Sequence, residues 1–195
     1  MSRVIFITHP EVAIDPAVPV PDWTLSEKGF ARMRRLLEQP WIGDIRHIAS
    51  SAERKARDAA GILAGRLGLP VRIVAELGEN DRSATGYLPK AEFEATADAF
   101  FAHPERSIRG WERAVDAQAR IVRAVEAALA GTAGDVAIMA HGAVGALLLC
   151  HLSGRPISRA ADQPGEGGGN LFVFGREDRR LISGWQRMEE ARLGE

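Results

Sequence analysis

The sequence predicts an α/β protein, a three-layer sandwich with a mostly parallel sheet and helices on both faces. Short β-branched apolar runs alternate along the chain with longer segments of helical period. The first of them, Val4 to Ile7, is apolar throughout rather than alternating with polar residues, as a strand covered on both faces is. With 195 residues, 46% of them hydrophobic, the chain can build one sizeable core. One domain over residues 1–195 is therefore expected, and no internal repeat or low-complexity tract divides it.

The elements follow in order. Val4 to Ile7 is β-rich and reads as a buried strand. Glu11 to Trp23 carries Pro16, Pro19 and Pro21 and reads as a loop. Ser26 is an N-cap candidate for a helix to about Glu38. Ile45 to Ala49 is a second strand. Ser51 caps a helix over about Ala52 to Arg66, ended by Gly68 and Pro70. Val71 to Val74 is a third strand. The polar stretch Glu76 to Lys90, with Gly78, Gly86 and Pro89, is a loop of the length that often carries function. Helices follow over about Lys90 to Ala102 and Glu112 to Ala130. Asp135 to Ala140 is a fourth strand, running through His141-Gly142 into a helix to about Leu152. After a glycine-rich loop, Gly165 to Gly169, come strands over Asn170 to Phe174 and Leu181 to Gln186.

Composition excludes several classes. The 25 Lys and Arg balance 26 Asp and Glu, for a net charge of −1. That argues against a nucleic-acid binder reliant on bulk positive charge. A single cysteine, Cys150, precludes an internal disulfide or a multi-Cys metal site. Apolar stretches such as Ala143 to Cys150 fall far short of the ~20 residues of a spanning helix. Met1 to Ile7 reads as a first strand rather than a signal peptide. A cytoplasmic protein with no nucleic-acid or membrane partner is expected, and a homodimer is open to it.

In a parallel sheet, ligands bind beyond the carboxyl ends of the strands. His9 follows the first strand and His141 the fourth, so both fall on that edge. Neutral imidazole is a nucleophile near pH 7 and can form a phosphohistidine. His141-Gly142 stands at a strand-to-helix junction, where free N–H groups and the helix dipole favour an anion. Gly142 there would admit a ligand close to the backbone. Ser50 to Arg57 places basic groups at the end of the second strand, where they could hold phosphate. Glu79, in the polar loop, is a candidate general acid. Each residue alone is equally compatible with a structural role. The glycines at Gly165 to Gly169 do not follow the first strand, so no dinucleotide fingerprint is formed.

Together these motifs resemble, in order and over almost the whole chain, those of the histidine phosphatase superfamily (phosphoglycerate mutase-like). His9 matches the family's nucleophile. Leu25-Ser26 with Gly29 resembles its Leu-Thr-x-x-Gly helix start, and Ser50-Ser51 through Ala56 and Ala60 its Ser-(three residues)-Arg-Ala helix. Leu77-Gly78-Glu79 resembles the stretch with its acid/base glutamate, and Ala137 to Gly142 its second histidine motif. Two departures bear on activity. The family's Arg-His-Gly reads Thr8-His9-Pro10, which removes an arginine and an N–H. Lys55 stands at the second arginine position and offers a point charge without a bidentate fork.

The resemblance implies a phosphohydrolase acting on a small phosphate monoester. His9 would be the nucleophile, Glu79 the acid, and His141, Lys55, Thr8 and Gly142 the phosphate ligands, with no metal or cofactor. Arg82, three residues after Glu79, is the preferred replacement for the missing arginine; Arg57 and Arg113 are others. Asn80, Asp81 and Asn170 are candidates for the rim. The alternative is a binding or regulatory protein that kept the fold and lost efficient turnover.

Overall fold

A computed structural model describes residues 2–193. Six strands form one sheet: β1 (Arg3–Thr8), β2 (Ile45–Ser50), β3 (Val71–Ile73), β4 (Asp135–Ala140), β5 (Asn170–Gly175) and β6 (Leu181–Arg187). Their order is β3-β2-β4-β1-β5-β6. The first four in that order run parallel, and β5 is antiparallel to both β1 and β6. The helices are α1 (Glu27–Leu36), α2 (Arg54–Leu67), α3 (Lys90–Ala102), α4 (Ala114–Leu129) and α5 (Gly142–Leu152).

Alternation along the strands builds the three layers. Ile5, Ile7, Ala137 and Met139 pack against Met33 and Leu36 of α1 and Ala59 and Leu63 of α2. Their neighbours Val4, Phe6, Val136 and Ile138 pack on the other face against Ile121 and Val125 of α4 and Leu148 of α5. All six residues of β4 are buried: Val136 to Ala140 as an apolar run, and Asp135 through its hydrogen bonds to Arg3. α3 forms a satellite, with Phe100 and Phe101 packed beside Trp111 and Leu147.

The antiparallel β5 follows from where the chain must return. α5 leaves the carboxyl edge of β4, and residues 153–169 climb back to that edge. Gly169 N–H donates to the His9 carbonyl at 3.0 Å, so β5 starts where β1 ends. Gly168, with φ +69°, passes so close that a Cβ would stand 2.3 Å from that oxygen.

Arg32 of α1 locks this edge from beneath. It is buried, and its guanidinium donates to Glu11 Oε2, Glu189 Oε1 and Oε2, and the Gly168 and Gly169 carbonyls at 2.7–3.0 Å.

Helix starts differ from the sequence reading at two places. Glu53, not Ser51, is the N-cap residue of α2, and its side chain makes no capping bond. α4 begins at Ala114 rather than Glu112, with Arg113 extended at the N-cap and Glu112 N–H donating to the Asp81 carbonyl. Ser26 does cap α1, accepting from Gly29 N–H at 3.1 Å, and Gly68 closes α2 in the left-handed conformation.

Candidate active site

Strand register sets the site. Thr8 pairs with Ala140, and Ser50 with Met139, so His9, Ser51 and His141 emerge together at one edge. The His9 and His141 rings lie edge to face with centroids 5.1 Å apart. His9 Nδ1 is 2.9 Å from the Pro10 carbonyl. A carbonyl only accepts, so Nδ1 carries the proton and Nε2 keeps its lone pair. Burial, the neighbouring His141 and the Lys55 ammonium push the His9 pKa down to about 3. The ring is therefore neutral and nucleophilic throughout the physiological range.

His141 is fully buried, and burial lowers its pKa too. Its Nε2 is 2.7 Å from Ser51 Oγ and 3.4 Å from Glu53 Oε1. Ser51 thus orients a histidine rather than capping a helix.

Lys55, at the register expected for the family's arginine, is buried. Its ammonium donates to Glu53 Oε2 at 2.5 Å and to the Val20 carbonyl at 2.9 Å. The other Glu53 oxygen accepts from Glu79 N–H at 2.8 Å. Burial would raise the Glu53 pKa, but His141, Lys55 and the Glu79 N–H outweigh it and hold the carboxyl down to about 2. Glu53 was not among the sequence candidates. An acid in the first turn of a helix reads as a complement to the dipole, and nothing local shows it bridging a lysine and a histidine.

Glu79 lies where a second anion would sit. Its carboxylate accepts from Ala143 N–H at 3.2 Å, Val144 N–H at 3.1 Å and Asn80 N–H at 3.1 Å. The α5 N-terminus was expected to favour an anion, and Glu79 is that anion. Arg120 positions this loop by donating to the Glu76, Gly78 and Glu79 carbonyls while pairing with Glu112. It is a supporting residue that no local pattern singles out, since it falls mid-helix. Arg82 pairs with Glu79 Oε2 at 3.4 Å and lies over the Phe93 and Trp111 rings, 5.1 and 5.5 Å from their centroids.

Two expected phosphate contacts are corrected. Thr8 is buried and gives its one hydroxyl proton to Gln163 Oε1 at 2.7 Å, while accepting from Asn170 N–H at 3.0 Å. It joins β1 to the returning chain. Gly142 admits Gln163 rather than a ligand: a Cβ there would stand 2.3 Å from Gln163 Nε2. Asn170 belongs to the same network, donating to Gln163 Oε1 and the Pro164 carbonyl. Arg57 is exposed on α2, and Arg113 is exposed and paired with Asp116.

His9, Glu53, Lys55, Glu79, Asn80, Asp81 and Arg82 all line one cavity of about 790 Å³. The rest of its wall is mainly apolar, with Val12, Ile14, Trp23, Tyr87, Leu88 and Phe93 in the lining. The Trp23 and Tyr87 rings meet 5.8 Å apart. Asn80 is buried, with no hydrogen-bond partner for its Nδ2.

The family model described as "Histidine phosphatase superfamily (branch 1)" matches residues 6–181, which takes in every one of these residues. The chain belongs to the histidine phosphatase superfamily. Among solved structures it is similar to mycobacterial glucosyl-3-phosphoglycerate phosphatase with inorganic phosphate, at 25% identity and a TM-score of 0.77, covering 98% of this chain and 100% of that one. Bacillus stearothermophilus YhfR matches with a TM-score of 0.79 at 20% identity, covering 94% of this chain and 95% of that one, and shows the fold. No curated protein matches by sequence. Among the described residues, no helix is long and apolar enough to cross a membrane.

Proposed function

We propose that this member of the superfamily is a phosphohydrolase that cleaves phosphate monoesters through a phosphohistidine on His9. One observation carries the reading. The free Nε2 of a neutral His9 opens on a cavity that also holds Lys55, Glu79 and Arg82. The phosphatase activity named for the mycobacterial neighbour supports it.

In the proposed reaction His9 Nε2 attacks phosphorus, a P–N bond forms and the P–O ester bond breaks. Lys55 and Arg82 balance charge on the phosphoryl oxygens. His141 holds its place through Ser51 and stacks edge-on against His9. Glu79 must first release the α5 N-terminus and take a proton from the bound monoanionic ester, and it then passes that proton to the leaving oxygen. Glu79 then accepts a proton from the water that attacks phosphorus and frees His9. The mainly apolar wall is suited to an ester whose organic part is a ring or hydrocarbon chain.

A second reading, a phospho-ligand binding protein without turnover, is favoured by a different observation: Lys55 and Arg82 are each already paired with a carboxylate. Hydrolysis of 1-naphthyl phosphate between pH 5 and 8 by wild type and His9→Ala decides between them. Turnover by wild type that is lost in His9→Ala supports the phosphatase; equal inertness with retained phosphate binding supports the second reading.

A further inference from the structure

The Lys55 ammonium, the Glu79 backbone N–H and the Arg82 guanidinium at the phosphate end of the cavity are each already engaged by a carboxylate of the chain itself. Glu53 has one oxygen on the Lys55 ammonium and the other on Glu79 N–H, with His141 Nε2 at 3.4 Å. An ammonium, a backbone N–H and an imidazole converging within hydrogen-bond reach are what a phosphoryl group would require of this site. The Glu53 side chain is 15% exposed and lines the cavity, so it meets the ligand space directly. It stands two residues before Lys55, at the extended N-cap of α2, with its own N–H held by Ser51 Oγ at 3.2 Å. The tether is short and fixed at its base, and only the carboxylate arm is free to rotate.

We propose that Glu53 is a built-in anion that fills the phosphate subsite of the resting protein and must be displaced by substrate. A phosphoryl group alone then exchanges one anion for another on Lys55 and gains little. A ligand that also places an apolar group against Trp23, Tyr87 and Phe93 gains the burial that the exchange does not provide. The substrate class that follows is a phosphate monoester with a bulky apolar, uncharged leaving group. Inorganic phosphate and small hydrophilic phosphates are held weakly. When the ester is cleaved and the apolar product leaves, Glu53 returns to Lys55 and expels phosphate.

The inference rests on phosphate binding at the site proposed above, but its test needs no turnover. Binding of inorganic phosphate and of 1-naphthylmethylphosphonate, which cannot be hydrolysed, is measured by calorimetry at pH 7.5 for wild type, Glu53→Gln and Glu53→Ala. In wild type the phosphonate is expected to bind at least thirtyfold more tightly than phosphate. In both variants phosphate is expected to bind at least tenfold more tightly than in wild type, and the phosphonate to gain by the same factor. Phosphate affinity that is unchanged or weaker in folded variants overturns the proposal, as does a wild type that binds the two probes equally. Should neither variant fold, the Glu79 backbone amide resonance of wild type is followed during a phosphate titration. It is expected to move as Glu53 releases it, and a stationary resonance at saturation overturns the proposal. A failure of the phosphatase reading shows separately, as binding without hydrolysis.

Discussion

Keeping His9 neutral costs stability in acid, and the cost can be worked out. Burial, His141 and Lys55 take its pKa from 6.5 in the unfolded chain to about 3 in the fold. Below pH 6.5 the unfolded chain binds a proton that the folded chain refuses, so stability falls as pH drops from 6.5 towards 3. At pH 5 the gap from 6.5 corresponds to about 2 kcal/mol, at about 1.4 kcal/mol per tenfold change in proton affinity. The ring is half-buried, and water screening trims the expectation to about 1–2 kcal/mol. His9→Gln removes the titrating group and keeps an amide that can donate to the Pro10 carbonyl. Urea unfolding followed by tryptophan fluorescence at pH 7 and pH 5 measures the difference. Wild type is expected to lose about 1–2 kcal/mol more than His9→Gln over this interval, with His141 contributing equally to both. Equal losses would refute the argument that His9 is held neutral by its surroundings.

Three other outcomes are expected. Arg32→Met leaves Glu11 and Glu189 without their buried partner and should cost about 3–5 kcal/mol, read as a melting temperature lowered by about 2–4 °C for each kcal/mol; a fall under 3 °C contradicts the locking role. Glu79→Gln should slow formation of the phosphohistidine, read as the pre-steady-state release of alcohol, by about 10²–10⁴ for alkyl phosphates and far less for nitrophenyl phosphate, since that leaving group needs no proton; equal losses on both in this step would remove Glu79 from the acid role. Tyr87→Ala should raise KM for 1-naphthyl phosphate about tenfold with little change in kcat, as lost wall contact predicts, while KM for methyl phosphate stays put.

The sheet and most helix limits were legible because each rests on a local pattern. β4 is six buried residues, five of them an apolar run from Val136 to Ala140, and the sequence reading placed it at the same limits. His9 and His141 could be found because strand ends in a parallel sheet share an edge. Lys55 could be found from its spacing after Ser50-Ser51. What could not be read depends on partners far along the chain. Ser51 looks like a cap until His141, 90 positions on, takes its hydroxyl. Thr8 looks free to meet a ligand until Gln163, 155 positions on, accepts its proton. Glu53 escaped notice because its direction is set by the extended backbone at the N-cap and by Glu79 N–H, 26 positions away. Arg32 sits mid-helix as an ordinary exposed charge would, and only the packed glycine loop and Glu189 make it interior.

The position of those Arg32 partners also orders the birth of the fold. The guanidinium draws on Glu11, Gly168, Gly169 and Glu189, so its shell closes only when nearly the whole chain has been made. During synthesis β1, Glu11, α1 and β2 emerge long before Gly168, Gly169 and Glu189. The edge that holds His9 is therefore tied together from both ends of the chain, and a chain that stops before Glu189 would leave the buried guanidinium without that carboxylate.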